Sequence, residues 1–158
     1  HLSLRRQRQM CIRDRGYGVP AALTAALVFP ERTTICFVGD GGFLMASNEL
    51  ATALQYDLKP IYLVINNGLC GTIRMHQERD YPGREVATAL RNPDFAAYAK
   101  SFGAYGEIIE RSENFAPALD RALAAGKVAV LELRINPEVI NTKTTLSEIR
   151  DAALAKQD

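Results

Sequence analysis

The chain has 158 residues, 47% hydrophobic and 23% charged, with 19 Lys and Arg against 18 Asp and Glu. That is the size and composition of one globular domain able to bury a core, and it excludes a disordered tail. No apolar run approaches the roughly 18–20 residues that cross a bilayer. Three scattered cysteines (Cys11, Cys36, Cys70) without a CxxC pair argue against a disulfide scaffold or zinc ribbon and for a reducing, cytoplasmic setting.

The near-neutral total hides an asymmetry. Residues 1–15 carry Arg5, Arg6, Arg8, Arg13 and Arg15 against one Asp14, a net of +4 that leaves the other 143 residues at −3. Basic arms serve nucleic acids and anionic membranes, and Arg-rich, acid-poor starts serve as transit peptides. Here the run from Arg8 to Arg15 resembles a translated transposase mosaic-end sequencing adapter. Residues 1–15 are therefore expected to be a non-native head, with the biological sequence beginning near Gly16 and the chain a fragment. Neither nucleic acid nor membrane is expected as a partner.

From Gly16 onward, helix and strand signals alternate. A helix is predicted over 20–28, opened by Pro20 and stopped by Pro30, then a buried strand over 33–38 (TTICFV). Gly39-Asp40-Gly41-Gly42 reads as a loop, and 45–56 as a helix with Leu50, Ala53 and Leu54 on one face. After Lys59-Pro60 comes a second apolar strand at 61–65, ending in the turn Asn66-Asn67-Gly68. Residues 72–80 read as a short amphipathic helix and 81–91 as a loop. The next helix, about 93–102, is expected to take Asn92 as N-cap and Pro93 as its first residue. A strand at 107–109, a helix near 113–125 capped by Ser112 and closed by Gly126, a strand at 128–135 and a terminal helix at 144–156 complete the chain. Alternating helices and continuously apolar strands imply an α/β fold, a parallel sheet with helices on both faces, spanning residues 16–158 as one domain.

The chemistry is expected at two polar turns. Gly39-Asp40-Gly41-Gly42 follows one strand and Asn66-Asn67-Gly68 the next, with 24 residues between Gly41 and Asn66. That is the length of one crossover, and a right-handed crossover brings both strand ends to the sheet edge where open α/β sheets bind ligands. Asp40 and Asn67 would then face each other. They offer hard oxygen atoms without nitrogen or sulfur, a set that suits Mg²⁺ shared with phosphate oxygens. The glycines clear side chains from a backbone whose N–H groups face an anion. A metal-bridged diphosphate is the expected occupant.

The segment GDGGFLMASNELATALQYDLKPIYLVINN resembles the thiamine diphosphate signature, GDG followed after 24–27 residues by NN. The resemblance runs from Gly16-Tyr17-Gly18-Val19-Pro20 to the strand ending at 135, about three quarters of the chain. It is to the C-terminal diphosphate-binding domain of the acetolactate synthase, benzoylformate decarboxylase and pyruvate decarboxylase group, with TIRMHQERDYPGR most similar to the acetolactate synthase branch. The resemblance implies thiamine diphosphate and Mg²⁺ as cofactors. The metal would be held by the side chains of Asp40 and Asn67 and the carbonyl of Leu69. The diphosphate would lie against Gly39, Asp40, Gly41 and Gly42 and against the turn at Asn67, Leu69, Cys70 and Gly71. It implies a parent enzyme that decarboxylates a 2-oxo acid and transfers the product to a second carbonyl, built as a homodimer or homotetramer. The catalytic glutamate of the family lies in a separate N-terminal domain, and FAD, used by some relatives, binds outside this domain. A non-catalytic phosphate- or nucleotide-binding module is the alternative, although GDGG lacks the GxGxxG spacing.

Other residues carry blander expectations. Arg74, His76, Gln77 and Arg79 read as a solvated helix face, although related enzymes border their active-site channel at this point. His76 lacks a second histidine for zinc. Cys70 reads as a packing residue, Asn66 as a turn former, and Met45, Leu50 and Leu54 as core. The tail at 144–156 is expected to pack on a neighbouring subunit or to fray.

Overall fold

The computed structural model describes residues 16–156, and the basic head at 1–15 lies outside the described residues. The apolar runs form β1 Ile35–Gly39, β2 Ile61–Asn66, β3 Tyr105–Ile109 and β4 Ala129–Arg134. All three pairings are parallel, in the order β1-β2-β4-β3, with Ile61 opposite both Ile35 and Ala129. The helices are α1 Gly18–Val28, α2 Asp40–Leu44, α3 Leu50–Gln55, α4 Gly71–Asp80, α5 Phe95–Phe102, α6 Phe115–Ala124 and α7 Leu146–Leu154. Short 3-10 turns occupy Ser47–Glu49 and Ser112–Asn114. No helix among the described residues is long and apolar enough to cross a membrane.

The strand order decides where the helices go. The connections from β1 to β2 and from β2 to β3 run one way across the sheet, and the one from β3 to β4 runs back. Right-handed crossovers place α3 and α5 on one face and α6 on the other. Two buried clusters follow. On one face α1, α3 and α5 pack on Val38, Tyr62, Val64 and Val130. On the other, Ala118 and Ala122 of α6 pack on Ile61, Leu63, Ile109 and Leu131. Phe43 centres the first cluster, with ring centroids 5.8 Å from Tyr62 and 5.5 Å from Phe95. Burial pushes the Tyr62 phenol up, with the nearby Cys36 and Glu49 adding to the effect, and its hydroxyl donates to the Val19 carbonyl at 3.2 Å. At the crossing of α5 over β3, a Cβ on Gly106 would stand 2.3 Å from the Ala96 carbonyl oxygen. Only glycine lets the two backbones approach that closely.

Several expectations are corrected. The glycine-rich segment is not all loop: Gly39 ends β1 in extended backbone and Asp40 opens α2, a position where a carboxylate meets unpaired helical N–H groups. The helix expected over 45–56 is interrupted at Ala46 (φ −142°, ψ 19°), which turns Met45 outward to 66% exposure while Leu50 and Ala53 stay buried and Leu54 packs partly on the core. β1 is buried on one face only, since α6 does not reach it and Phe37 is 71% exposed. The expected caps also differ. Asp94, not Asn92, caps α5 by accepting from the Ala97 N–H at 2.7 Å, while the Asn92 side chain is turned away to Asp40 and Asn66. Ser112 opens a 3-10 turn and makes no side-chain cap. The tail does not fray: Thr145 and Glu148 form a reciprocal capping box at the start of α7, which packs on α4.

Candidate cofactor site

Parallel pairing of β1 and β2 brings Asp40 and the 66–71 turn to one edge of the sheet. Asp40 is 4% exposed. Its Oδ1 accepts from the Gly41 N–H at 2.8 Å, and its Oδ2 accepts from the Gly68 N–H at 2.9 Å and from Asn92 Nδ2 at 2.7 Å. No ion pair reaches this carboxylate among the described residues. Its hydrogen-bond donors are all neutral N–H groups, so a bound cation would be the first counter-charge it meets among the described residues.

The turn after β2 is shaped by its own asparagines. Asn66 Oδ1 accepts from the Gly68 N–H at 3.1 Å, and Asn67 Oδ1 from the Leu69 N–H at 3.1 Å. Gly68 sits at φ +67°, the left-handed region that a side chain would strain. A Cβ on Gly71 would come within 3.1 Å of Asn67 Nδ2, so glycine there leaves room for that side chain. A Cβ on Gly39 would meet nothing within 4 Å. Packing does not demand glycine at 39, and open space remains beside it.

The 81–91 segment, expected as a plain loop, closes on this turn. Leu69 and Ala89 form an antiparallel bridge in which the Cys70 N–H donates to Thr88 and the Leu90 N–H to Gly68, both at 2.8 Å. The bridge uses the Gly68 carbonyl and leaves that of Leu69 outside it. Gly42 and Gly71 lie in the first turns of α2 and α4, whose N–H groups no intrahelical carbonyl can take. Among the described residues no group of three or more His, Cys, Asp or Glu could hold a metal. A cation here would rely on one carboxylate and neutral oxygens, completing its charge with an anionic ligand. That donor set fits Mg²⁺ carrying a diphosphate.

Two participants escaped sequence reasoning. Asn92 joins the turns of both strands, its Nδ2 donating to Asp40 and, at 2.8 Å, to Asn66 Oδ1. Glu132, 1% exposed on β4, accepts from Asn66 Nδ2, from Arg134 Nε and from the Phe95 N–H that opens α5, each at 2.9 Å. The lone glutamate inside the apolar run VAVLELRI was the signal for it.

The helix that leaves the site has an ionic inner side. Its one buried residue is Glu78, 1% exposed, so the amphipathic reading of 72–80 is wrong in kind. Glu78 accepts from Arg150 of α7 (Nε 2.8 Å), Arg74 (Nε 2.9 Å) and the Gly83 N–H (3.0 Å). The Arg150 hydrogen bonds, helped by Gly83 and Arg74 and opposed by burial, bring the Glu78 carboxyl down to about 2. Arg74 also pairs with Glu85, and its side chain is 12% exposed, so it is not part of a solvated face. Gln77 brackets Val86 with both amide atoms, and Arg79 pairs with Asp80 at the surface.

Comparison with known proteins bears on this arrangement. The family profile "Thiamine pyrophosphate enzyme, C-terminal TPP binding domain" matches residues 9–133. The acetolactate synthase large subunit of Buchnera aphidicola is 36% identical over 126 residues, covering 77% of this chain and 22% of that protein. Isozyme 3 of the Escherichia coli acetolactate synthase large subunit is 36% identical over 109 residues, 68% of this chain and 19% of that one. A thiamine diphosphate-dependent 4-hydroxybenzoylformate decarboxylase from Rhodococcus jostii RHA1 superposes with a TM-score of 0.72 at 31% identity, over 77% of this chain and 23% of its own. The chain thus spans about a fifth of the length of these relatives. With the parallel sheet and the GDG and NN turns side by side at its edge, the chain belongs to the C-terminal thiamine pyrophosphate-binding domain family of thiamine pyrophosphate enzymes.

Proposed function

We propose that this chain holds the diphosphate of thiamine diphosphate through Mg²⁺, as part of an acetolactate synthase-like enzyme that decarboxylates a 2-oxo acid and joins the product to a second carbonyl. The observation that carries the reading is Asp40: a buried carboxylate without a cationic partner among the described residues, bonded across to the Asn66–Asn67–Gly68 turn. Asp40, Asn67 and the Leu69 carbonyl would hold the metal. The amides of Gly42 and Gly71 would meet the diphosphate directly, beside the open space at Gly39. Those of Gly41 and Cys70 already have acceptors, Asp40 Oδ1 and the Thr88 carbonyl, so a phosphate contact from either exchanges one hydrogen bond for another. When bound, thiamine diphosphate supplies the carbanion chemistry, and the protein supplies binding and orientation. The same reading makes the parent a cytoplasmic homodimer or homotetramer acting on a small 2-oxo acid, without nucleic acid or membrane as partner.

The test is a titration of the ¹⁵N-labelled 158-residue chain followed by NMR, which detects weak binding. Thiamine diphosphate with Mg²⁺ is expected to shift the amides of Gly41, Gly42, Gly68, Cys70 and Gly71. EDTA or Asp40→Ala is expected to abolish the response. An equal response to ADP with Mg²⁺ would favour a general nucleotide-binding module, and no response to either sinks the reading.

A further inference from the structure

The Asn92 side chain has one fixed orientation and one unmet need. Its Nδ2 stands 2.7 Å from Asp40 Oδ2 and 2.8 Å from Asn66 Oδ1, two acceptors that occupy both amide protons. Turning the amide over would set oxygen against two oxygens, so the assignment follows from the partners. Asn92 Oδ1 is thereby left buried with no hydrogen-bond partner, the one such side-chain atom among the described residues. Buried acceptors are almost always satisfied, and an exception next to a carboxylate that no cation of the described residues reaches calls for a missing donor. Magnesium usually keeps several of its waters, and these are strong donors.

We propose that Asn92 is a positioning residue of the cation site: Nδ2 fixes Asp40 against the Asn66 turn, and Oδ1 accepts a hydrogen bond from water on the bound divalent cation. This rests on the reading of Asp40 as a cation ligand. A carboxylate offers about four lone-pair sites. Gly41, Gly68 and Asn92 fill three of those on Asp40, leaving one direction for the metal. The position of Asn92 is itself fixed from both sides, since Asn66 is anchored to Glu132 and Pro93 leads directly into the capped start of α5.

The experiment titrates Mg²⁺ into the full 158-residue chain at fixed thiamine diphosphate, for wild type, Asn92→Ala and the surface control Met45→Ala. The Mg²⁺ concentration at half-saturation is expected to rise roughly tenfold or more in Asn92→Ala, the usual effect of losing an outer-sphere partner. At saturating Mg²⁺ the affinity for thiamine diphosphate returns to within about twofold of wild type. A merely structural role for Asn92 would weaken both quantities together and would not be rescued by metal, and that result overturns the proposal. So does an unchanged Mg²⁺ requirement while wild type still responds, an outcome that leaves the reading of Asp40 standing. A wild-type chain indifferent to Mg²⁺ removes both. Asn92→Ser carries the same comparison if the alanine variant does not fold.

Discussion

The two sides of α5 are held by opposite kinds of force. Its body lies on the sheet through Phe95 and Ala99, buried in the apolar cluster, and through Ala96, buried against Gly106. Its start is held by charge and hydrogen bonds, through Asp94, the Phe95 N–H on Glu132, and Asn92 before them. Apolar burial is strong and undirected, whereas the polar contacts are modest in net energy and specific in geometry. The first keeps the domain folded, and the second aims the strand-end turns.

Three changes would break or sharpen that contrast. Phe95→Ala removes a fully buried ring packed edge-on against Phe43. It is expected to destabilise the fold by about 3–5 kcal/mol in urea denaturation. An effect below about 1 kcal/mol would mean that the apolar side is not what holds α5. Acid should next separate α7 from α4 before the core melts. The Glu78 carboxyl is lowered from 4.5 to about 2 in the folded chain. Its contribution is therefore complete above the unfolded value and is lost as pH falls from about 4.5 toward about 2. Hydrogen exchange of the α7 amides across that window, compared with Glu78→Gln, measures the loss. The variant is expected to show α7 already loosened at neutral pH, with no further change in the window. Phe37→Ser is the smallest: the ring is 71% exposed on β1, and stability should stay within about 0.5 kcal/mol by thermal denaturation.

What could be read in advance follows the same division. The strands announced themselves as apolar runs, and GDG and NN lay at strand ends whose separation matched one crossover. The polar frame around them left no such trace. Asn92-Pro93 imitates a helix start, and only the structure shows that Asp94 takes that task while Asn92 turns to Asp40. Glu78 sits in TIRMHQERD, where nothing points to Arg150, a partner 72 residues further on. Periodicity reports which face of an element is apolar. It is silent on pairings between distant polar side chains, such as Asn92 with Asp40 and Glu78 with Arg150.

The strand order also has a consequence in time. β4 lies between β2 and β3 yet is the last strand of the four in the chain. Until Arg134 has left the ribosome, β2 and β3 have no neighbour between them, and the Asn66 turn lacks its anchor on Glu132. Pairing Ile61 with Ala129 then closes a loop of nearly seventy residues, the kind of distant contact that slows folding. While that contact is pending, the apolar edge of β2 is open to any other strand, so the interval just after synthesis is when this chain is most exposed to misassembly.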